Sequence, residues 1–288
     1  MAFDPGRILA ADVPDTDGRW APDDVILYQL GIGAGKDPID PSELAYVYEP
    51  VLKVLPAFAS IPMFPSLAAS LSIDGMDVNP LMILHGEHAI EVPGPIPSAG
   101  TVTNRTRAIG VHDKGKGALV RLVVESVDES GSTLFTNTVG LFVRGEGGFG
   151  GDSGPDPSVA VPDREPDVVI ESSTFPQQAL LYRLSGDRNP LHADPAVAAF
   201  AGFDRPILHG LCSYGIVCKA VVDAALGGDV TAVRAYEARF SGVVFPGETI
   251  VTRAWDEGDR WLAEAHVAGR GTPVVTRAMI SVADRVRS

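Results

Sequence analysis

A stretch rich in glycine, proline and acidic residues divides the chain into two halves. It runs from Gly145 to Asp167 as GEGGFGGDSGPDPSVAVPDREPD, a composition that sustains neither a helix nor a strand for long. We therefore predict a hinge linker at residues 151–168, between an N-terminal domain at 1–150 and a C-terminal domain at 169–288. With 288 residues, 45% of them hydrophobic, the chain is long enough to bury a substantial core.

The two halves have the same layout. Each closes with a turn followed by three segments rich in β-branched residues, a pattern typical of antiparallel strands joined in series. The turns and segments are Pro97–Thr101, Thr101–Gly110, Ala118–Val127 and Thr133–Arg144 in the first half, and Phe245–Thr249, Glu248–Trp255, Trp261–Ala268 and Val274–Ala283 in the second. This layout indicates a weak internal duplication.

One helix is well marked in the second half, and its counterpart in the first half is interrupted. Apolar residues recur at nearly helical spacing between His209 and Leu226, and two glycines then end the pattern. The corresponding stretch, Val51–Ile73, contains Pro56, Pro62 and Pro65, which make one long helix improbable. The sequence thus predicts an α+β fold with a curved antiparallel sheet around each helix, the first-half helix being broken or shortened.

Charge and composition argue against several classes of protein. The formal net charge of −14 would repel a phosphate backbone, so no nucleic-acid partner is expected. No apolar run approaches the ~18 residues of a membrane span, and the acidic start lacks an export signal, so we expect no membrane association. The C-terminal Arg285–Ser288 is not a Ser-Lys-Leu peroxisomal address, which favours a cytoplasmic location. Cys212 and Cys218 are interpreted as small buried residues.

The most informative stretch for chemistry is Tyr182–Gly210, YRLSGDRNPLHADPAVAAFAGFDRPILHG. A glycine and a proline constrain the loop that carries Asp187, Asn189 and His192, and Asp194 followed by proline opens a short helix. A carboxylate and an imidazole five residues apart on such a loop can converge on one water molecule.

Gly210 stands at the predicted start of the helix that follows. Backbone N–H groups are unpaired at a helix N-terminus, and glycine allows a ligand oxygen to approach closely. Such an amide can stabilise the enolate-like oxygen that forms when a thioester is attacked at its β-carbon.

Two other interpretations of these residues stay open at this point. An Asp-x-Asn-Pro sequence often only caps a turn, and a histidine near a helix start is often only a hydrogen-bonded structural residue. Asp187, His192 and His209 could also bind a metal ion, although their spacing matches no compact metal-binding motif.

The residues of this stretch resemble a known family. The string Y-R-L-S-G-D-R-N-P-L-H at Tyr182–His192, with P-I-L-H-G ending at Gly210, resembles the signature of hydratase 2 enzymes in the MaoC-like dehydratase family. The first half resembles the non-catalytic half of its two-repeat members. The matching strings are Y-Q-L-G-I-G-A-G at Tyr28–Gly35, V-L-P-A-F at Val54–Phe58, N-P-L-M-I-L-H-G-E at Asn79–Glu87 and R-G-E-G-G-F-G-G at Arg144–Gly151.

The resemblance implies a double hotdog fold with one active site between the halves. It implies that Asp187 and His192 are the catalytic pair, that Asn189 supports them by hydrogen bonding, and that the Gly210 amide binds the thioester carbonyl. It also implies that both halves bind the CoA-thioester, through His85, Gly86, Lys114 and Phe240. A structural alternative exists for two of these, since Lys114 can be an exposed turn lysine and His85 a buried hydrogen-bonded residue.

The function expected from the resemblance is reversible (R)-specific hydration of a trans-2-enoyl-CoA to a (3R)-3-hydroxyacyl-CoA, in fatty acid or steroid side-chain β-oxidation. No metal or redox cofactor is expected, and hotdog sheets often associate edge to edge, which suggests a homodimer. The alternatives are a hotdog acyl-CoA thioesterase and a non-catalytic acyl-CoA-binding or assembly subunit. The sequence leaves the acyl chain, the pathway and the preferred direction open.

Overall fold

Ten strands form the framework of the described chain, which in this computed structural model comprises residues 3–154 and 160–283. Residues 155–159 of the predicted linker and the C-terminal Arg285–Ser288 lie outside that description. The strands are β1 (Thr16–Trp20), β2 (Ile83–Glu91), β3 (Gly100–Asp113), β4 (Gly117–Val127), β5 (Thr133–Arg144), β6 (Val168–Ser173), β7 (Val233–Phe240), β8 (Thr249–Asp256), β9 (Arg260–Val267) and β10 (Pro273–Val282).

The strands form one antiparallel sheet whose order shows the duplication directly. The order is β1-β3-β4-β5-β2-β7-β10-β9-β8-β6, so the second half repeats the arrangement of the first in the opposite direction. The two halves meet where β2 pairs with β7, from Glu87 opposite Arg239 to Glu91 opposite Ala235. The predicted sheets of the two halves are therefore joined edge to edge within a single chain.

Seven α-helices accompany the sheet within the described residues, and α7 is the longest of them. They are α1 (Pro5–Ala10), α2 (Pro22–Gly31), α3 (Pro41–Leu44), α4 (Phe64–Ser70), α5 (Gln178–Tyr182), α6 (Pro195–Phe200) and α7 (Gly210–Leu226). In the part of the chain that the structure describes, no helix has both the length and the apolar composition needed to cross a membrane.

Helix α7 is the central helix of the second half. Its residues from Leu211 to Val222 are all buried, and Gly227, in the left-handed region with φ 61°, ends it. Cys212 and Cys218 lie on this helix and are buried, and burial raises the pKa of both thiols. They are packing residues, as the sequence predicts.

Between residues 3 and 150, the part of the first half that the structure describes, no helix is equivalent to α7. The stretch that corresponds to it contains a short 3₁₀ helix, Pro56–Ser60, and then α4, which begins only after a turn at Pro62 and Met63. Each piece starts with proline within its first two positions, where the missing N–H costs nothing. The predicted break in the first-half helix is confirmed, and it leaves room beside the sheet.

Buried polar contacts hold the halves together away from the sheet junction. The Lys219 ammonium on α7 lies 3.0 Å from the Glu43 carboxylate of the first half, and both side chains are buried. Gln178 donates to the carbonyl of Gly31 at 3.1 Å, and Tyr46 donates to Asp223 at 2.6 Å. Each bond crosses between halves, so a site built from both halves has fixed geometry.

Candidate active site

The loop that carries the predicted acid begins at a close approach between the halves. Gly186 has φ 133°, and a Cβ added there would lie 2.9 Å from the ring of Phe64 on α4. Both the backbone conformation and the contact therefore require glycine. The next residue, Asp187, is brought against α4 of the other half.

A short network of hydrogen bonds fixes Asp187 and Asn189. The Asp187 carboxylate accepts from the backbone amide of Asn189 at 3.1 Å, and the Asn189 carboxamide oxygen accepts from the amide of Leu191 at 3.0 Å. The second bond caps the 3₁₀ turn Pro190–His192. Asn189 thus holds both the carboxylate and the turn that presents His192.

His192 is buried, and its hydrogen bond fixes which ring nitrogen is free. The Nδ1 atom lies 2.9 Å from the carbonyl oxygen of Ile207. Because a carbonyl can only accept, Nδ1 carries the proton and Nε2 keeps its lone pair. Burial lowers the pKa of His192, although the Asp187 charge opposes this shift. The ring is therefore a neutral imidazole with a free Nε2, the form a general base needs.

His209 packs directly on the proposed base. The two imidazole rings stack with their centroids 3.7 Å apart and 27° between their planes. Nε2 of His209 donates to the backbone carbonyl of Asp187 at 3.2 Å, and burial, helped by the neighbouring His192, lowers its pKa to about 2. His209 is thus neutral at any working pH.

The predicted convergence of Asp187 and His192 is present. One carboxylate oxygen of Asp187 and one nitrogen each of His192 and His209 all lie within 4.8 Å of one another. The two rings lie nearly parallel, so their in-plane lone pairs do not point to one common position, as two ligands of a metal ion would. The cluster is better arranged to hold a water molecule than to chelate a cation.

Gly210 is the first residue of α7 and lies next to this cluster in the chain. Its backbone is exposed, and among the described residues its amide donates no hydrogen bond. A Cβ added at Gly210 would lie 3.5 Å from the ring of Phe240, so that ring covers one side of the amide. An unpaired helix N-terminal amide beside a carboxylate and an imidazole can bind a developing oxyanion.

His85, Gly86 and Phe240 come from the strands at the junction between the halves. Gly86 lies where the register of β2 shifts against β5, and the ring of His85 packs edge-on against Phe240 at 5.2 Å. Burial lowers the pKa of His85 to about 4. Its ring is therefore also neutral near pH 7, and it borders the cluster from the first half.

A cavity of about 470 Å³ lies beside the loop that carries Asp187. Asp187, Asn189 and His85 line it, and four apolar side chains of α4 and the residue after it, Phe64, Leu67, Ala68 and Leu71, form another wall. This wall comes from the proline-interrupted region of the first half. The particular α4 residues could be found only from the fold, because nothing in their local pattern indicates a ligand.

Lys114 lies apart from the cluster, in the turn between β3 and β4. Its side chain is exposed, and its ammonium donates to the carbonyl of Ser153. His85 pairs with Leu141 of β5, which pairs in turn with Val120 of β4, so His85 and Val120 are two strand spacings apart. Since β4 begins three residues before Val120, the start of β4, next to the turn, is roughly 14 Å from His85 by strand geometry. The structure therefore does not bring Lys114 together with the other predicted residues, but places it at the same end of the sheet.

The Ile207 carbonyl and the stacking of His209 on His192 are absent from the catalytic set predicted from sequence. Ile207 and His209 both stand in the string P-I-L-H-G, but the sequence prediction gave a catalytic role only to its last residue, Gly210. From the sequence, His209 could be predicted only as a possible metal ligand. Its stacking on His192, seventeen positions earlier, cannot be inferred from spacing.

Comparisons with known proteins agree with this arrangement in both halves. Residues 19–145 match the MFE-2 hydratase 2 N-terminal domain, and residues 157–278 match the MaoC like domain. The chain is 44% identical over 277 residues to the enoyl-CoA hydratase ChsH3 of Mycobacterium tuberculosis, covering 96% of this chain and 97% of the relative. It is 43% identical over 289 residues to the peroxisomal enoyl-CoA hydratase 2 of Arabidopsis thaliana, covering 95% and 94%.

Solved structures give the same fold. A MaoC-like dehydratase from Phytophthora capsici superposes with a TM-score of 0.89 at 35% identity, with 99% of each chain covered. A Mycobacterium tuberculosis protein described as a double hotdog fold superposes with a TM-score of 0.58 at 14% identity, covering 94% of each chain. The predicted double hotdog fold is confirmed.

Proposed function

The chain belongs to the MaoC-like dehydratase family, and on that premise we propose that it is a hydro-lyase that adds water to a trans-2-enoyl-CoA to give a (3R)-3-hydroxyacyl-CoA. The relatives named above as enoyl-CoA hydratases support the reaction class. The observation that carries the proposal is the site itself. His192 is neutral with a free Nε2, the Asp187 carboxylate lies within 4.8 Å of it, and Asp187 lines a cavity with apolar walls. The unpaired amide of Gly210 follows His209, the third member of this cluster, in the chain.

In this proposal Asp187 and His192 hold the reacting water. The water oxygen bonds to C3 of the enoyl group while Nε2 of His192 accepts one of its protons, and a proton passes from the pair to C2. One hydroxyl and one hydrogen are added in total, so the atoms balance. Because both groups lie on one loop, both additions come from the same face of the double bond, and the face that the bound substrate presents to the loop sets the configuration at C3.

The Gly210 amide supplies the electrophilic part of the site. As water adds to C3, negative charge develops on the thioester oxygen, and an N–H group already in place stabilises that charge without reorganisation. Removing one such donor typically costs 10²–10³ in rate. The ring of Phe240 keeps water from one side of this amide, which strengthens the interaction.

We propose that Lys114 binds a phosphate group of CoA while the acyl chain occupies the cavity beside α4. Lys114 lies outside the cluster but at the same end of the sheet, at a distance that an extended phosphopantetheine arm can reach. The protein is acidic overall, so a local cation is needed for a polyanionic ligand. His85 and Gly86 would then line the path between the two ends.

Replacing Lys114 tests this assignment. We expect Lys114→Ala to raise KM for crotonyl-CoA by about tenfold, the usual scale of one charge-assisted contact, with little change in kcat. The KM for the N-acetylcysteamine thioester, which lacks the CoA phosphates, should stay unchanged. Lys116→Ala, in the same turn, is the matched control. An equal effect on both thioesters would count against a phosphate contact.

We further propose that the reaction needs no metal ion. The stacking of His192 on His209 supports this, because it does not direct both ring lone pairs to one ion. Turnover of crotonyl-CoA should be unchanged after dialysis against EDTA and passage over a chelating resin. Loss of activity that added Zn²⁺ restores would contradict the proposal.

The decisive experiment measures turnover across short, long, branched and steroid-side-chain enoyl-CoAs. Loss of the enoyl absorbance without release of free thiol is the expected result, with (3R) product identified by chiral chromatography. Thiol release would instead indicate a thioesterase, and calorimetric binding without turnover would indicate an acyl-CoA-binding subunit. The acyl group turned over fastest defines the substrate class.

Two further features remain proposals. We propose a homodimer, which light scattering on the purified protein tests, and a cytoplasmic location. The peroxisomal relative of Arabidopsis thaliana leaves the compartment open, so fractionation of the source cells must decide it.

A further inference from the structure

We infer that His209 is a positioning residue for this site, because one side chain contacts the acid loop, stacks on the base and precedes the oxyanion-binding amide. The inference rests on the proposed acid–base function of Asp187 and His192. It assigns His209 no contact with substrate and no proton transfer.

The first contact fixes the loop that carries the acid. Nε2 of His209 lies 3.2 Å from the carbonyl oxygen of Asp187, and a carbonyl can only accept, so Nε2–H is the donor. His209 is 1% exposed and the bond is partly buried, so losing this donor would leave the Asp187 carbonyl without its protein partner. The bond holds the backbone from which the Asp187 carboxylate projects.

The second contact fixes the plane of the base. The His209 ring lies on the His192 ring at 3.7 Å, and the Tyr182 ring packs against His209 at 4.9 Å. The hydrogen bond from His192 Nδ1 to Ile207 leaves that ring free to tilt about the bond. Stacking removes this freedom, so the lone pair on Nε2 keeps one direction.

The third connection is through the backbone. The carbonyl of His209 accepts from the amides of Cys212 at 3.1 Å and Ser213 at 3.2 Å, which closes the first turn of α7. The Gly210 amide lies between this carbonyl and that turn. A shift of His209 therefore moves the amide together with the loop and the base, and a misplacement of about 1 Å can cost 10²-fold in rate.

Two substitutions separate the contacts. His209→Phe keeps an aromatic ring and removes the donor, whereas His209→Gln keeps an N–H near the position of Nε2 and removes the ring. We expect His209→Phe to lower kcat for crotonyl-CoA by about 100-fold with KM within about twofold. We expect His209→Gln to recover at least tenfold of that loss, because its amide again bonds the Asp187 carbonyl.

Tyr236→Phe is the matched control. Tyr236 is also buried, stacks on Tyr214 at 3.9 Å and donates to a backbone carbonyl, without belonging to the acid–base loop. Tyr236→Phe should lower the thermal midpoint of unfolding by about as much as His209→Phe does, with kcat nearly unchanged. If His209→Phe does not fold, His209→Leu, also without a donor, takes its place with the same expected result.

The outcomes distinguish this inference from the proposed function. Wild-type protein that leaves enoyl-CoAs unchanged would end the proposed function, and this inference with it. Active wild type with His209→Phe within threefold in kcat would overturn the positioning role alone. The positioning role would also be overturned if the kcat of His209→Gln were no higher than that of His209→Phe. It would likewise be overturned if Tyr236→Phe lost as much kcat as His209→Phe.

Discussion

Asp187→Asn and His192→Ala are each expected to lower kcat for hydration of crotonyl-CoA by two or more powers of ten, while the protein stays folded. Acid–base groups contribute typically 10²–10⁴-fold, and His192 is the ring whose Nε2 is free to take a proton from water. Asparagine preserves the size of Asp187 and can still accept from the Asn189 amide, so the loss would reflect the missing charge. The measurement is steady-state loss of enoyl absorbance.

The controls for these variants come from neighbouring positions. Asp194→Asn changes an aspartate that only caps α6, accepting from the amide of Ala196 at 2.8 Å, and His266→Ala changes a histidine on β9. Both should keep kcat within a few fold of the wild type. Near-normal hydration by Asp187→Asn or His192→Ala would sink the proposed mechanism, whatever the controls show.

The second large effect is expected on stability. The free energy of unfolding should fall by several kcal/mol between pH 7 and pH 5, because burial lowers the pKa of His85, His88, His192 and His209. In the unfolded chain a histidine takes up a proton at about pH 6.5, whereas in the folded protein it stays neutral to lower pH. Stability from this source is complete above pH 6.5 and is lost as the pH falls.

The size follows from linkage. A histidine that stays neutral to pH 5 in the folded protein costs roughly 2 kcal/mol of stability over those two pH units. Urea titrations at half-unit steps of pH would measure how steeply the free energy of unfolding changes with pH. His88→Leu removes one of these four groups and should make the free energy of unfolding depend less steeply on pH. A free energy of unfolding independent of pH between 7 and 5 would show that these rings are protonated in the folded state.

These two predictions draw on different parts of the same cluster. His192 is chemically useful because it is buried and neutral, and the same burial makes the fold sensitive to acid. Burial outweighs the opposing charge of the Asp187 carboxylate and lowers the pKa of His192, so activity should fail at a lower pH than free imidazole would suggest.

The sequence by itself determined the closing strands of both halves, the continuous and the interrupted helix, and the loop that carries the acid and the base. Alternating β-branched segments predicted the closing strands of both halves, and Gly227 with Gly228 predicted the end of α7, because these signals are local. The prolines of Val51–Ile73 predicted the interrupted helix for the same reason. Asp187, Asn189 and His192 could be selected because one constrained loop carries all three.

Only the tertiary structure decided how distant segments meet. The pairing of β2 with β7 joins the halves into one sheet, α4 of the first half forms a wall beside Asp187, and His209 stacks on His192. Each depends on side chains far apart in the chain coming into contact, and no local propensity or spacing encodes such contacts. The chemistry was therefore readable from one loop, whereas its geometry required the whole fold.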